Sequence, residues 1–88
     1  MNWDYSFSDS AREVLRKLDR QTQAQIVRYL DERIAGTADP TRFGKPLRGE
    51  QHGYWRYRVG DYRITASIER QRVHVLVVKV GHRSTIYD

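Results

Sequence analysis

The first residues of the chain alternate between aromatic and polar side chains. Trp3, Tyr5 and Phe7 are separated by Asp4 and Ser6, which is the period-two pattern of a strand with one buried face. After this segment the apolar residues recur every three or four positions, as in an amphipathic helix. The sequence therefore predicts a short N-terminal strand that leads directly into helical structure.

Two amphipathic helices are predicted before residue 37. Ser8 can cap the first helix, or Ser10 and Glu13 can form a capping box two residues later. Asp19 is expected to end that helix and to cap the second one, which stops near Gly36. The apolar stripes are Ala11, Val14, Leu15 and Leu18 in the first helix and Ile26, Val27, Leu30 and Ile34 in the second.

Beyond residue 53 the pattern changes to a period of two. Apolar and polar residues alternate on both sides of Gly60-Asp61, a dipeptide that suits a two-residue hairpin turn with glycine first. Nearly every residue of the segment 73–80 is apolar, so this strand should be central in the sheet. The preceding segment 37–53 holds both prolines and is predicted to be a loop, with Phe43 and Leu47 directed inward.

These elements predict one domain covering residues 1–88, since a chain of this length supports a single core. The order is strand, helix, helix, strand, strand, strand. It predicts an α+β fold in which a helical hairpin covers one face of a mostly antiparallel four-stranded sheet. The opposite face of that sheet would then be available for polar chemistry.

Composition excludes several classes of site. The chain has no cysteine, which rules out disulfides and thiolate metal sites. We find no metal-ligand spacing of His, Asp and Glu and no glycine-rich phosphate loop, so no metal and no cofactor are expected. The N-terminus lacks the features of a signal peptide, and no apolar run is long enough for a membrane span. A cytoplasmic protein without a membrane partner is expected.

The positive charge is concentrated in the second half of the chain. Residues 1–41 hold 6 Lys or Arg against 7 Asp or Glu, whereas residues 42–88 hold 10 against 4. A basic region with interspersed aromatic residues suits a polyanion such as a nucleic acid, because each phosphate contact releases counterions. A solvated basic surface without a specific partner remains the alternative on charge alone.

Three arginines are expected to project from the open face of the sheet. Arg56 and Arg58 lie on the same side of one strand, about 7 Å apart, and Arg63 can share that side across the hairpin turn. Like charges at this distance repel one another, and guanidinium groups match phosphate oxygens in a bidentate way. The pattern favours a phosphate site over independently solvated surface arginines.

The C-terminal tail adds further candidates. Arg83 and Tyr87 follow the last strand, and Tyr87 could either stack on a base or anchor the tail against the sheet. His82, next to Arg83, is the histidine with a possible acid/base role. By contrast, His74 is expected to be a satisfied residue of the sheet, and His52 lies in a loop.

Three segments of the chain form a distinctive set of motifs: Gly44-Lys45-Pro46-Leu47-Arg48-Gly49, Tyr54 to Arg63 with its Arg-Val-Gly-Asp-Tyr-Arg run, and Val80-Gly81-His82-Arg83 with Tyr87. Together they resemble the RelE/ParE toxin superfamily of type II toxin–antitoxin systems, and in particular its RelE-like mRNA interferase branch. The resemblance extends over the whole chain, because the order of predicted elements is also that of the family.

The resemblance implies a ribosome-dependent endoribonuclease. Such toxins cut mRNA in the ribosomal A site with the 2′-hydroxyl as nucleophile, which leaves a 2′,3′-cyclic phosphate and a 5′-hydroxyl. The positions that match the family's working residues are Arg56, Arg58, Arg63, Arg83 and Tyr87, and Lys45 and Arg48 are expected to add RNA contacts. Deprotonating an arginine costs about 8 kcal/mol at pH 7, so the arginines suit electrostatic roles and the general base stays open.

The resemblance also implies partners and leaves an alternative activity. The partners would be a cognate antitoxin with an amphipathic acidic segment, the ribosome with its mRNA, and operator DNA bound through the antitoxin. The alternative is a ParE-type toxin that inhibits DNA gyrase without nuclease activity. A basic RNA-binding module without catalytic activity is the third interpretation.

Overall fold

The computed structural model describes residues 2–86, which contain two α-helices, two single-turn 3₁₀-helices and five strands. The predicted order of elements is confirmed, with one short strand added in the predicted loop. The elements are β1 (Asp4–Phe7), α1 (Asp9–Arg16), α2 (Arg20–Arg33), β2 (Lys45–Pro46), β3 (Tyr54–Val59), β4 (Tyr62–Glu69) and β5 (His74–His82).

The strands form one mixed sheet in the order β1-β5-β4-β3-β2. β5 lies between a parallel β1 and an antiparallel β4, which confirms the central position predicted for segment 73–80. The expectation of four strands was wrong, because Lys45 and Pro46 pair with Arg56 and Trp55 at the edge of the sheet. Two residues are too few to show a period, and proline is tolerated only where its missing N–H is not needed by a neighbouring strand.

Side-chain caps set the helix boundaries only in part. Ser8 caps α1, as predicted, with its Oγ accepting a hydrogen bond from the backbone N–H of Ala11 at 3.2 Å. Asp19 occupies the N-cap position of α2 but makes no side-chain capping bond. Instead, the amide of Gln23 donates to the carbonyl of Leu18 at 2.7 Å and closes the turn between the helices.

The core lies between the helices and one face of the sheet. Tyr57, Ile64 and Ala66 of β3 and β4 point inward and are fully buried, and Trp55 is half-buried. The residues that join them are Ile26, Leu30 and Ile34 from α2 and Val75 and Val77 from β5. The residues between these inward positions therefore face away from the helices.

The loop before β2 does not bury Phe43, which is 39% exposed. The prediction that it packs inward was wrong because two neighbours occupy the space over the core. Pro40 is fully buried and accepts a hydrogen bond from the Tyr57 hydroxyl at 2.5 Å. Gly44 lies so close that a Cβ there would be 3.0 Å from the Tyr57 ring. The residue between these two contacts is turned outward.

No helix in the stretch 2–86 has both the length and the apolar character needed to cross a bilayer.

Candidate functional site

Strand register brings the predicted arginines together on the face opposite the helices. Arg58 pairs directly with Arg63 across β3 and β4, and Arg56 pairs with Thr65 on one side and Lys45 on the other. Directly opposed residues of antiparallel strands have Cβ atoms about 5 Å apart. Two guanidinium groups therefore start from adjacent points of one surface, as the alternation predicted.

The hairpin turn fixes the position of Arg63. Gly60 adopts a φ of +57° while Asp61 does not have a positive φ, the combination that the glycine-first turn requires. Nη1 of Arg63 donates to the carbonyl of Gly60 at 3.2 Å and to that of Tyr62 at 3.1 Å. The β3–β4 turn therefore holds the guanidinium group of Arg63 in place.

Two of the arginines are buried, which corrects the expectation that all three lie at the surface. Arg63 is 4% and Arg56 is 5% exposed, and only Arg58 is exposed. Nη2 of Arg56 donates a hydrogen bond to Oε1 of Gln51 at 3.2 Å. Gln51 belongs to the 3₁₀ turn that precedes β3. Alternation determines which face a residue occupies, but segments outside the strands determine how much of that face is covered.

One such segment is the C-terminal one, which folds back over the sheet. Ile86 is buried and packs on Gly81, where a Cβ would lie 2.3 Å from its Cδ1. Gly81 is the strand partner of Arg63, so this contact covers the sheet beside the buried guanidinium. Tyr87, predicted to act on the nucleotide, lies outside the described residues.

Arg83 lies at the same end of the sheet as Arg63. Its backbone N–H donates to the carbonyl of Asp61 at 2.8 Å, and its Nε is 3.5 Å from the Asp61 carboxylate. Both side chains of this pair are well exposed, so the ion pair is screened and weak. Arg83 is consequently available to an anion near the hairpin turn, two positions along the chain from the strand partner of Arg63.

His82 is directed away from the arginines. It pairs with Tyr62 on the helix-facing side of the sheet, with the two rings edge to face and centroids 5.4 Å apart. Its Nδ1 accepts a hydrogen bond from the backbone N–H of Ser84 at 3.1 Å. The structure thus separates this candidate acid/base group from the face that carries Arg58 and Arg63.

Comparison with known proteins assigns the family. Residues 5–87 match the family model described as the ParE toxin of the type II toxin–antitoxin system parDE. The chain belongs to this toxin family. The membership confirms the predicted RelE/ParE superfamily.

Relatives of the toxin come from several organisms. Toxin RelG of Mycobacterium tuberculosis is 33% identical, over 99% of this chain and 98% of its own. A chain of the M. tuberculosis toxin–antitoxin complex RelBE2 is 30% identical, with a TM-score of 0.83 over 96% of this chain and 94% of that one. The isolated Escherichia coli RelE toxin, 23% identical, shares the fold with a TM-score of 0.73 over 91% of this chain and 83% of that one. The toxin is therefore of the RelE/RelG kind.

The open face of this toxin also holds a buried hydroxyl that the sequence did not single out. Thr65 is 5% exposed, and its Oγ1 has no hydrogen-bond partner among residues 2–86. It lies between its strand partners Arg56 and Lys79. Buried polar atoms are nearly always hydrogen-bonded, so this hydroxyl marks a place where a ligand or water group would be stabilised.

A second polar cluster of the toxin lies at the far end of the same sheet. Nε2 of His74 is 2.7 Å from Oγ of Ser6, and its Nδ1 makes a short hydrogen bond with the Asp4 carboxylate. His74 and Gly81 are the ends of a β5 segment that spans about 23 Å at the usual rise per residue. The cluster thus joins the parallel strands β1 and β5, as expected for a satisfied sheet histidine, and is remote from the arginines.

The remaining predicted RNA contacts flank the edge of the sheet. Lys45, in β2, is exposed opposite Arg56, and Arg48 is exposed where the chain leaves β2. Within residues 2–86, no three His, Asp or Glu side chains group together in a way that could hold a metal ion.

Proposed function

We propose that this toxin is a ribosome-dependent endoribonuclease that cuts mRNA in the A site by attack of the RNA's own 2′-hydroxyl. The observation that supports the proposal most strongly is the direct pairing of Arg58 with Arg63, with Arg83 beside the same hairpin turn. Opposed like charges destabilise a strand pair, and a bound phosphodiester would relieve that repulsion. The similarity to toxins named RelG and RelE supports the same activity.

The reaction needs charge stabilisation at one phosphorus atom. The 2′-oxygen forms a bond to phosphorus, the bond to the 5′-oxygen breaks, and the products are a 2′,3′-cyclic phosphate and a 5′-hydroxyl. The proton of the 2′-hydroxyl goes to a base, and the leaving 5′-oxygen takes up a proton. Because Arg63 is already fixed by two backbone carbonyls, it requires little reorganisation to stabilise the charge that develops on the phosphoryl oxygens.

The proton transfers are not assigned to a described side chain. His82 faces Tyr62 on the other side of the sheet, which disfavours direct transfer at a phosphate held by Arg58 and Arg63. Tyr87 remains the proposed residue for orienting the nucleotide and assisting proton transfer. Arg56 and Arg58 are proposed to hold the RNA backbone, with Lys45 and Arg48 extending that contact along the edge of the sheet.

The proposed partners follow from the activity and from the relatives. RelBE2 of M. tuberculosis and RelBE of E. coli are toxin–antitoxin complexes, and we propose that this toxin likewise binds a cognate antitoxin through an amphipathic acidic segment. The ribosome with mRNA would be its target in the cytoplasm, and the antitoxin complex would bind operator DNA. If addition of the cognate antitoxin leaves cleavage undiminished, this account of the partner is wrong.

Primer extension on ribosome-bound mRNA tests the activity. We expect cuts within codons that require ribosomes and that disappear in Arg83→Ala. That variant removes only an exposed side chain, so its fold should be intact. Transcripts that stay intact with active ribosomes present, or full cleavage by Arg83→Ala, would contradict the nuclease site.

Inhibition of DNA gyrase is the second candidate function, and the match to the ParE family model favours it. In that case relaxed or cleaved DNA would accumulate while transcripts remain intact. A supercoiling assay with purified gyrase, run beside the primer extension, separates the two activities. Binding of RNA without any cut would instead support the non-catalytic RNA-binding module.

A further inference from the structure

A groove of about 360 Å³ opens beside the edge strand β2 and next to the arginine face. Its volume falls in the range of about 300–1,000 Å³ typical of small-molecule pockets. One aromatic, one proline and one leucine side chain line it together with three cations: Phe43, Pro46, Leu47, Lys45, Arg56 and Arg58. Every polar residue of this lining within residues 2–86 is therefore positive, so the groove suits a ligand with an apolar ring and a nearby anion.

The aromatic ring in the groove is surrounded by further positive charge. Phe43 is 39% exposed, so part of its ring is open to a ligand. The guanidinium carbons of Arg33 and Arg42 lie 4.7 and 5.5 Å from its ring centroid. These cation–π contacts orient the ring and favour ligands that carry negative charge.

The loop that presents Phe43 is held in place from the core. The Tyr57 hydroxyl binds the Pro40 carbonyl on one side, and Gly44 packs against the Tyr57 ring on the other. Within the same loop, the Asp39 carboxylate accepts hydrogen bonds from the hydroxyl and the backbone N–H of Thr41. These bonds keep the pKa of Asp39 below its usual value. A ring that is already positioned loses little conformational freedom on binding.

We propose that this groove is a nucleobase subsite, in which a base of the bound RNA packs against Phe43 while Lys45 and Arg58 hold its phosphate. The inference rests on the proposed function, since Arg58 also faces Arg63 across the strands and so places the base next to the scissile phosphodiester. Single-stranded RNA is commonly recognised by stacking of unpaired bases on aromatic side chains. Phe43 would thus determine the orientation of the nucleotide, while the arginines would bind the phosphate backbone of the RNA.

Fluorine NMR on protein labelled with 4-fluorophenylalanine tests the subsite directly. The chain has only two phenylalanines, so Phe7 in the half-buried β1 serves as an internal reference for Phe43. The probes are adenosine 5′-monophosphate and ribose 5-phosphate, which share sugar and phosphate and differ by the base. We expect the nucleotide to shift the Phe43 resonance, identified by its loss in Phe43→Leu, with ribose 5-phosphate and the Phe7 resonance showing no comparable change.

Variants extend the test to binding and cleavage. Arg58→Gln should weaken nucleotide binding, whereas Val14→Ala, which alters a residue of α1 that is 40% exposed, should not. In the cleavage assay, Phe43→Ala should raise KM by between about 5-fold and about 150-fold, as alanine replacement of a stacking aromatic does. The kcat should stay near the parent value, because stacking is made equally in the ground and transition states, and Phe43→Trp should retain the parent KM.

Two results would overturn the subsite. One is a Phe43 resonance that does not respond to the nucleotide, whether or not an antitoxin peptide shifts it, and the other is an equal response to ribose 5-phosphate. A further comparison separates this inference from the proposed function. A base-dependent response without ribosomal cleavage refutes the nuclease and leaves the subsite standing, whereas cleavage with an unresponsive Phe43 refutes the subsite alone.

Discussion

Replacing Tyr57 with phenylalanine should destabilise the protein by removing one buried hydroxyl. The Tyr57 side chain is fully buried, and its hydroxyl donates to the carbonyl of Pro40 at 2.5 Å. A neutral hydrogen bond contributes about 0.5–1.5 kcal/mol net, and a buried acceptor left unsatisfied costs about 1–3 kcal/mol. Since Pro40 is itself fully buried, we expect Tyr57→Phe to lose about 1–3 kcal/mol of unfolding free energy.

Urea denaturation followed by circular dichroism measures this loss. Small proteins have slopes of about 1–3 kcal/mol per molar urea, so the midpoint should fall by about 1 M. Tyr54→Phe is the matched control, because Tyr54 lies three residues earlier in β3 and is 38% exposed. Loss of its hydroxyl should change the free energy of unfolding by less than about 0.5 kcal/mol. Equal midpoints for Tyr57→Phe and the control would refute the anchoring role of the hydroxyl.

The pH dependence of the same variant gives an independent check. Burial raises the pKa of Tyr57 above its ordinary value, so the folded state binds this proton more tightly than the unfolded state does. The resulting stability is present below the ordinary tyrosine pKa, near 10, and is lost as the pH rises through the folded pKa. The stability difference between parent and Tyr57→Phe should therefore shrink above about pH 10; a constant difference would contradict this assignment.

The other predictions concern the helix cap and the arginine face. Ser8→Ala should lose about 1 kcal/mol in urea melts through loss of the α1 cap, and an unchanged midpoint would exclude that role. Arg63→Ala should lower the melting temperature, because Arg63 makes charge-assisted hydrogen bonds to two carbonyls, each worth about 1.5–3 kcal/mol. Arg83→Ala should leave the melting temperature unchanged, and equal values for the two variants would contradict the buried geometry of Arg63. Gly81→Ala should displace Ile86 and speed amide exchange in the C-terminal segment, and unchanged exchange would show that the contact is absent.

Local patterns predicted most of the fold because each acts over a few residues. The Ser8 cap needs only the residues of one helical turn, and the Gly60 hairpin needs only a glycine that can take a positive φ. The alternation along β3 and β4 likewise fixed which face Arg56, Arg58 and Arg63 occupy. Strand β2 was missed because it is defined by its pairing with β3 and not by any pattern of its own. β3 begins at Tyr54, nine residues after the first residue of β2, Lys45.

The burial of the arginines depends on contacts that are distant in sequence. Gln51 reaches Arg56 from a turn, and Ile86 covers the sheet beside Arg63 after the last strand. The alternation of residues within β3 and β4 carries no information about either contact. For this reason the sequence could predict that the three arginines share one face of the sheet but not that two of them are buried.

The site combines two departures from the usual distribution of side chains, a nearly fully buried arginine and a partly exposed phenylalanine. Arg63 is nearly fully buried although charged groups are costly to remove from water, while Phe43 remains partly in water although its burial would stabilise the fold. Residues that act against the folding pattern tend to occur at functional sites. The two meet around Arg58, which pairs with Arg63 and lines the groove with Phe43. If RNA binds there as we propose, its phosphate would contact the exposed Arg58 side chain and a base would cover the Phe43 ring, so one ligand would engage both features.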